Sequence, residues 1–439
     1  MESMNRTVAR RVVIAGGGYA GVTLAVRLAK KAKPEDRLEI VLVEPNPCQQ
    51  SLSELDLVAV GPARPEFCEL WLPSLFENLP VSVRYDRVHN VIAEGNCVSV
   101  GPRSGPHDTL PYWRLVLATG AVAFVPPVEG LAEHAVTMWS VHDAQELQRR
   151  IDAQLRAVVR LTDKQDRVKA LSIVVIGAGA TGIEIVGTLG QVLPAHAARL
   201  GIGHEDLRIR VIEGRPDVLY DLPATQRERA KARLDRLGVE IITGSMVRRV
   251  TGDAVHLADG TVVDAAVVVF CGGARPDPDA VSWGMPVDPA GRLTVDQTCR
   301  TTCPDIYAVG DIAAFRHSDD NKTLPMLAQY AIREAQQTAD NILHEARNEP
   351  LDAFVPTMHG EFVSVGPGWG CGWMWRFNLH GLPAIVMKRF TYVMYWWYAG
   401  GLSLVWRRSR ELRLMYRHFK KADRKVEVGA SARYGAGLS

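Results

Sequence analysis

The sequence predicts an α/β fold: two Rossmann-like dinucleotide-binding domains, the second inserted in the first, plus a C-terminal membrane-associating segment. Three observations predict it. Two glycine-rich strand–turn–helix units stand far apart in the chain. Each is followed by a buried-type strand that ends in an acid. The C-terminal part then concentrates tryptophan between basic residues. The 439 residues suffice for two or three domains. With 47% apolar and 23% charged residues, the chain is neither a disordered polymer nor a small disulfide scaffold. A formal charge of +2 argues against bulk nucleic-acid binding, which needs a phosphate-neutralising surface.

The first unit, Arg11–Leu28, reads RVVIAGGGYAGVTLAVRL, and the second, Ser172–Leu189, reads SIVVIGAGATGIEIVGTL. Each is a β-branched run, a glycine turn and an apolar helical pattern. Gly16 and Gly177 lie 161 positions apart, which means two separate nucleotide folds. Leu38–Glu44 and Leu207–Glu213 are the acid-ended strands that follow. Arg114–Leu117 is a buried strand. A capping box from Ser140 to Asp143 opens a helix over Ser140–Leu161, and the polar stretch Thr162–Lys169 links it to the second unit. Val262–Gly273 reads as one buried strand leaving that unit, and Cys303–Asp311 returns to the first. Leu324–Glu345 is a long helical pattern. The predicted domains are 1–124 with 276–350, then 125–275 inserted. An aromatic and basic region, 351–425, and a flexible tail, 426–439, complete the chain.

In Gly16-x-Gly18-x-x-Gly21, the first glycine permits the tight turn, the second lets backbone approach a pyrophosphate, and the third packs helix on strand. Tyr19 and Ala20 open the helix, whose free N–H groups and positive dipole end suit phosphates. Glu44, 28 residues after Gly16, can accept from a ribose diol. Gly177-x-Gly179-x-x-Gly182, with Thr181 inside it and Glu213 afterwards, repeats the device. Glu213 would repel a 2′-phosphate and favours NAD(H), although Arg215 stands close by. Ala118-Thr119-Gly120 and Gly310-Asp311 follow buried strands, and a carboxylate at Asp311 can take a ribityl hydroxyl, which favours a flavin.

The order GGGYAG, ATG, GAGATG, VGD resembles the two-dinucleotide-binding flavoproteins, in which the first site holds FAD and the second a nicotinamide nucleotide. Ala328-Gln329-Tyr330-Ala331-Ile332-Arg333-Glu334 resembles the AQxAxxE helix start of the type II (alternative, non-proton-pumping) NADH:quinone oxidoreductases. That resemblance implies an FAD-dependent NADH dehydrogenase passing electrons to a membrane quinone without proton pumping. It places Ala328 and Gln329 beside the flavin, Tyr330 in the quinone tunnel and Glu184 at the flavin–nicotinamide junction. Gly273, in the Cys271-Gly272-Gly273 turn, joins the nucleotide-binding set. Pro47–Ser53 departs from the family, which has a histidine and aromatics there. That departure keeps open a soluble NAD(P)H-dependent flavoprotein reductase with a non-quinone acceptor; a flavoprotein redox sensor is the alternative from a different class.

Six of ten tryptophans fall at Trp369, Trp373, Trp375, Trp396, Trp397 and Trp406, and Phe390–Trp406 carries no charge. Lys388 and Arg389 flank it before, and Arg407, Arg408, Arg410 and Arg413 after. This suits a helix lying in a membrane interface, with an aromatic homodimer contact as the alternative. Gly400-Gly401 would weaken a continuous helix, and no 20-residue apolar run offers a span. Seven cysteines without a CxxC pair point to thiols in a reducing compartment and away from disulfide-reductase chemistry. Met1–Arg11 lacks the apolar run of a signal peptide. The expected location is the cytoplasmic face of a membrane, peripherally bound. No metal site is expected.

Overall fold

The computed structural model describes residues 9–61, 63–317 and 321–435, with side chains described up to 413. The chain divides into two compact units. Unit 1 comprises Met1–Gln50, Glu69–Val122 and Ala274–Met358; unit 2 comprises Ser51–Cys68, Ala123–Gly273 and His359–Ser439.

The centre of unit 1 is a five-stranded parallel sheet ordered Ile306–Ala308, Arg114–Leu117, Arg10–Ala15, Leu38–Val43, Val81–Arg84. Ile14 sits in register with Leu42 on one side and Val116 on the other. These strands are apolar because a central parallel strand is covered on both faces. Val12, Val13, Ile14 and Ala15 are all fully buried. The glycine helix Tyr19–Lys31 packs against the helix Ala328–Ala346.

Unit 2 repeats the plan with Ala135–Thr137, Val267–Phe270, Ser172–Ile176, Arg208–Glu213, Val239–Thr243, all parallel. Its glycine helix, Ala180–Arg199, is buried from Gly182 to Leu193. An antiparallel sheet of Gly360–Ser364, Gly370–Met374 and Phe377–Gly381 follows, then the helix Leu382–Gly435. At Gly187 a Cβ would stand 2.4 Å from Gly366 N, so the absence of a side chain lets the glycine helix touch the Gly366 loop.

Several sequence expectations are corrected. Ser51–Cys68 clusters with unit 2, not with the first domain, because the short helix Leu55–Ala59 buries all five residues and packs on the helix Val141–Val158. Residues from His359 onward belong to unit 2 and do not form a separate region. Val262–Gly273 is two strands in different sheets, Val262–Asp264 and Val267–Phe270, separated at Ala265–Ala266. Thr162–Lys169 contains a helix, Lys164–Ala170, with Asp163 as its N-cap. The long helix begins at Ala328, not Leu324. The backbone expected to be a flexible tail from 426 is helical as far as Gly435; residues 436–439 lie outside the described residues.

Candidate functional site: two nucleotide cradles

In unit 1 the turn after Arg10–Ala15 holds Gly16 at φ +109°. A Cβ there would collide with the Ala118 carbonyl oxygen at 2.3 Å, and one on Gly21 would meet the Gly16 oxygen at 1.8 Å. Gly18 faces open space, as a close approach to phosphate requires. Glu44 is pinned there: Gly17 N–H donates to its Oε2 at 2.7 Å, and Asn46 N–H to its Oε1 at 2.9 Å. Tyr19 and Ala20 form the first turn of the helix. Ala118, Thr119 and Gly120 close the cradle beside Gly16, and Thr119 Oγ1 is buried with no hydrogen-bond partner among the described residues. A buried orphan hydroxyl beside an open glycine turn fits a bound dinucleotide.

The far wall of unit 1 comes from the Gly310–Ile312 turn and the helix Ala328–Ala346. Gly310 N–H donates to Glu334 Oε2 at 2.6 Å. Gly310 is wedged between Ala20 and Ala331, each under 3.5 Å from where its Cβ would lie. Asp311, Arg292, Leu324, Leu327, Tyr330 and Glu334 line a cavity here. Burial pushes the Asp311 carboxyl up to about 6, against the pull of Arg292. Burial pushes Glu334 up to about 8, the Gly310 N–H opposing it. Tyr330 borders this cavity and is buried; Ala328 and Gln329 sit on the first turn outside its wall. Glu334 and Arg292 were missed as site residues. Glu334 had a signal, since it closes the AQYAIRE motif; Arg292 sits in a loop with none.

Unit 2 repeats the cradle. Gly177 has φ +101° and its Cβ would meet Cys271 O at 2.8 Å; a Cβ on Gly182 would meet Gly177 O at 1.9 Å. Gly179 is open, and Thr181 is exposed beside it. Ala178 N–H donates to Glu213 Oε2 at 2.7 Å, and Arg215 N–H to Glu213 Oε1 at 2.9 Å. The two acids therefore use the same hydrogen bond, from the residue after the first glycine. Gly273, at φ +145°, is exposed after the Val267–Phe270 strand, with open space where a Cβ would lie.

Glu184 does not point to solvent. It is buried, its Oε1 accepting from Ser364 N–H at 3.1 Å and from Lys388 Nζ, an ion pair. Lys388 and Arg389 are thus not the basic flank of an interfacial helix: Lys388 pairs with Glu184 and Arg389 with Glu54. Arg408 is also buried, donating to the carbonyls of Glu66 and Phe67. Partners about 204 and 335 residues away in sequence gave no local signal for this. No metal-binding cluster occurs among the described residues.

The family described as pyridine nucleotide-disulphide oxidoreductase matches residues 10–335. The chain is 31% identical over 367 residues to the type II NADH:quinone oxidoreductase Ndh of Mycobacterium tuberculosis, covering 78% of this chain and 76% of that one. It is 26% identical over 415 residues to the type II NADH:quinone oxidoreductase of Staphylococcus epidermidis, covering 91% and 98%. In structure it resembles NDH2 from Plasmodium falciparum, solved in complex with NADH. The TM-score is 0.81 at 14% identity, over 96% of this chain and 98% of that one, a likeness of fold.

Proposed function

The chain belongs to the type II NADH:quinone oxidoreductases, within the pyridine nucleotide-disulphide oxidoreductase family, and from that premise we propose how it works. It oxidises NADH through FAD and delivers the electrons to a membrane quinone. The observation that carries this is the paired cradle: two glycine turns, each closed by a carboxylate fixed on a backbone N–H.

FAD, when bound, supplies hydride acceptance from NADH and onward two-electron delivery. Gly16, Gly18 and Gly21 give its pyrophosphate a side-chain-free approach, and Glu44 takes the ribose diol. Asp311 takes a ribityl hydroxyl, and the Thr119 hydroxyl gains the partner it lacks. The N-terminus of the Ala328–Ala346 helix offers donors and a positive dipole end to developing negative charge, with Gln329 reaching flavin or quinone through its amide. Tyr330 lines the acceptor's path. Gly177–Gly182 holds NADH, with Glu213 on its adenosine ribose; Glu184, buried on the same helix and paired with Lys388, serves the nicotinamide end through that pair.

The membrane reading rests on one face of the C-terminal helix. Leu382, Val386, Phe390, Met394, Trp397, Leu402 and Trp406 are exposed at spacings of three to five residues. Arg407, Arg410 and Arg413 are exposed beyond them. No described helix is long and apolar enough to cross a membrane; the contact we infer is peripheral, on the cytoplasmic face. A homodimer contact is the competing use of the same face.

The test is stopped-flow mixing of lipid-reconstituted, FAD-loaded protein with NADH, then steady-state oxidation over a panel of quinones, repeated with NADPH. The visible flavin band should bleach with NADH and recover on adding quinone. A band that does not respond to NADH refutes the reading. Bleaching without recovery by any quinone favours a non-quinone acceptor.

A further inference from the structure

Unit 2 buries more charge than its nucleotide cradle uses. Glu184 and Thr188 lie four residues apart on the Ala180–Arg199 helix and so share a face. Thr188 Oγ1 donates to Asp56 Oδ2 at 2.6 Å. One turn back, Glu184 accepts from Lys388, whose Nζ also donates to Ser364 Oγ at 3.0 Å. Beside them Glu54 pairs with Arg389. The cluster therefore holds three carboxyls, Glu54, Asp56 and Glu184, against two cations, Lys388 and Arg389. Glu54 and Glu184 each have an ion-pair partner; Asp56 has none among the described residues. A buried carboxyl with no cation paired to it holds its proton to higher pH than an exposed one.

We propose that Asp56 is a positioning residue for the reduced nicotinamide dinucleotide, binding a proton from water when NADH occupies the cradle and releasing it to water as NAD⁺ forms. The proposal rests on reading Gly177–Gly182 as the NADH site. No atom of Asp56 enters the redox step: hydride and its electron pair pass from nicotinamide to the flavin, and the proton exchanges only with solvent. The physical reason is charge. NADH and NAD⁺ carry the same diphosphate and differ by one positive charge on the nicotinamide. NADH at the N-terminal end of this helix, about two turns from Thr188, adds negative charge whose field favours the neutral form of Asp56; the NAD⁺ ring reduces that charge by one.

The surroundings leave Asp56 sensitive to such a change. Burial and Glu184 push its carboxyl up to about 7, while Lys388, the Thr188 hydroxyl and the Leu57 N–H pull it down. From the C-terminal helix, Arg389 and Tyr392 also face the cluster, and Tyr392 is itself raised by burial. The preceding turn brings Glu54, and the turn Pro65–Cys68 brings Glu66 and Cys68. Glu361 stands on the Gly360–Ser364 strand, raised by burial and by Asp221 and Glu184. The buried face of Val141–Val158, packed on the Asp56 helix, is apolar.

The experiment is calorimetric titration of the FAD-loaded full chain with NADH and with NAD⁺, in two buffers of different protonation enthalpy. NADH binding should take up a substantial fraction of a proton near neutral pH, and NAD⁺ binding clearly less. The NADH Kd should rise by up to about tenfold across about two pH units centred near neutrality. Asp56→Asn, which keeps shape but cannot titrate, should abolish the uptake and flatten the Kd profile. Thr188→Val removes a donor to the carboxylate and should move the linkage to higher pH. In the nucleotide-free chain, infrared spectroscopy should show a carboxylic-acid band that titrates away above neutrality in wild type. Glu334 contributes a band of its own, so the Asp56 share is the part lost in Asp56→Asn; that share should persist to higher pH in Thr188→Val, which keeps the test intact if the first variant misfolds. Equal uptake with NADH and NAD⁺, or uptake unchanged in Asp56→Asn, overturns the inference while leaving the nucleotide site standing. No NADH binding at all overturns both.

Discussion

Both oxygens of Glu213 accept backbone N–H groups, from Ala178 and Arg215, so the carboxylate is fixed before any ligand arrives. A fixed negative charge at the ribose repels a 2′-phosphate. Arg215, two residues on, is a cation that could compensate. It lies over the Tyr220 ring at 5.5 Å and within 3.7 Å of Asp221, so its charge is partly engaged. Glu213→Ser should therefore raise the NADPH-to-NADH ratio of kcat/KM by about tenfold, the equivalent of about 1.4 kcal/mol; an unchanged ratio would assign discrimination elsewhere. Glu213 was legible because its role follows from a short motif: strand, glycine turn, then an acid at the next strand end. Lys388 was not. Its solvent-facing reading came from neighbours in sequence, whereas its partner Glu184 lies on a helix about 204 residues earlier. Local pattern reports a helix's faces; it does not report which long-range carboxylate a lysine will meet.

At the scale of elements, the helix Leu382–Gly435 shows the same division. The uncharged aromatic run was visible in sequence, and Gly401, at φ +68° and ψ −161°, breaks the helical path where Gly400-Gly401 predicted weakness. What sequence could not sort was the run's two faces. Tyr395, Trp396 and Ala399 pack inward, while Phe390, Met394 and Trp397 are exposed. Burying the exposed residues in an interface gains about 1.5–3 kcal/mol per large apolar side chain, and a charged replacement forfeits it. Phe390→Asp with Trp397→Asp should reduce co-sedimentation with anionic liposomes by at least about tenfold. The thermal midpoint should hardly move, because neither side chain is in the core. Loss of a dimer peak by light scattering, with liposome binding intact, would give this face to self-association instead.

Across the whole molecule, the buried acids set a pH dependence of stability opposite to the familiar one. Glu334, Asp56 and Asp311 are pushed up to about 8, about 7 and about 6, in each case first by burial. The ordinary values are 4.5 for Glu and 3.8 for Asp. Between the ordinary value and the raised one, the folded chain binds a proton that the unfolded chain has already lost. Folding stability therefore falls as pH rises through that window, and levels off above the highest raised value. Asp36 and Asp340 act the other way. Arg347 holds Asp36 low, and Arg27 and Lys31 hold Asp340 low against its burial, so their contribution is lost as pH falls below the ordinary carboxylate range. The two sets together place the maximum of the cofactor-free protein in the ordinary carboxylate range, at about pH 4, with the thermal midpoint declining towards about pH 8. Glu334→Gln combined with Asp56→Asn should flatten that decline without moving the acid limb, which belongs to carboxyls held low, Asp36 and Asp340 among them. A midpoint that instead rises from pH 5 to 8 would mean these carboxyls are ionised in the folded chain. The buried charge beside both cradles would then have to be compensated by groups other than their own protons.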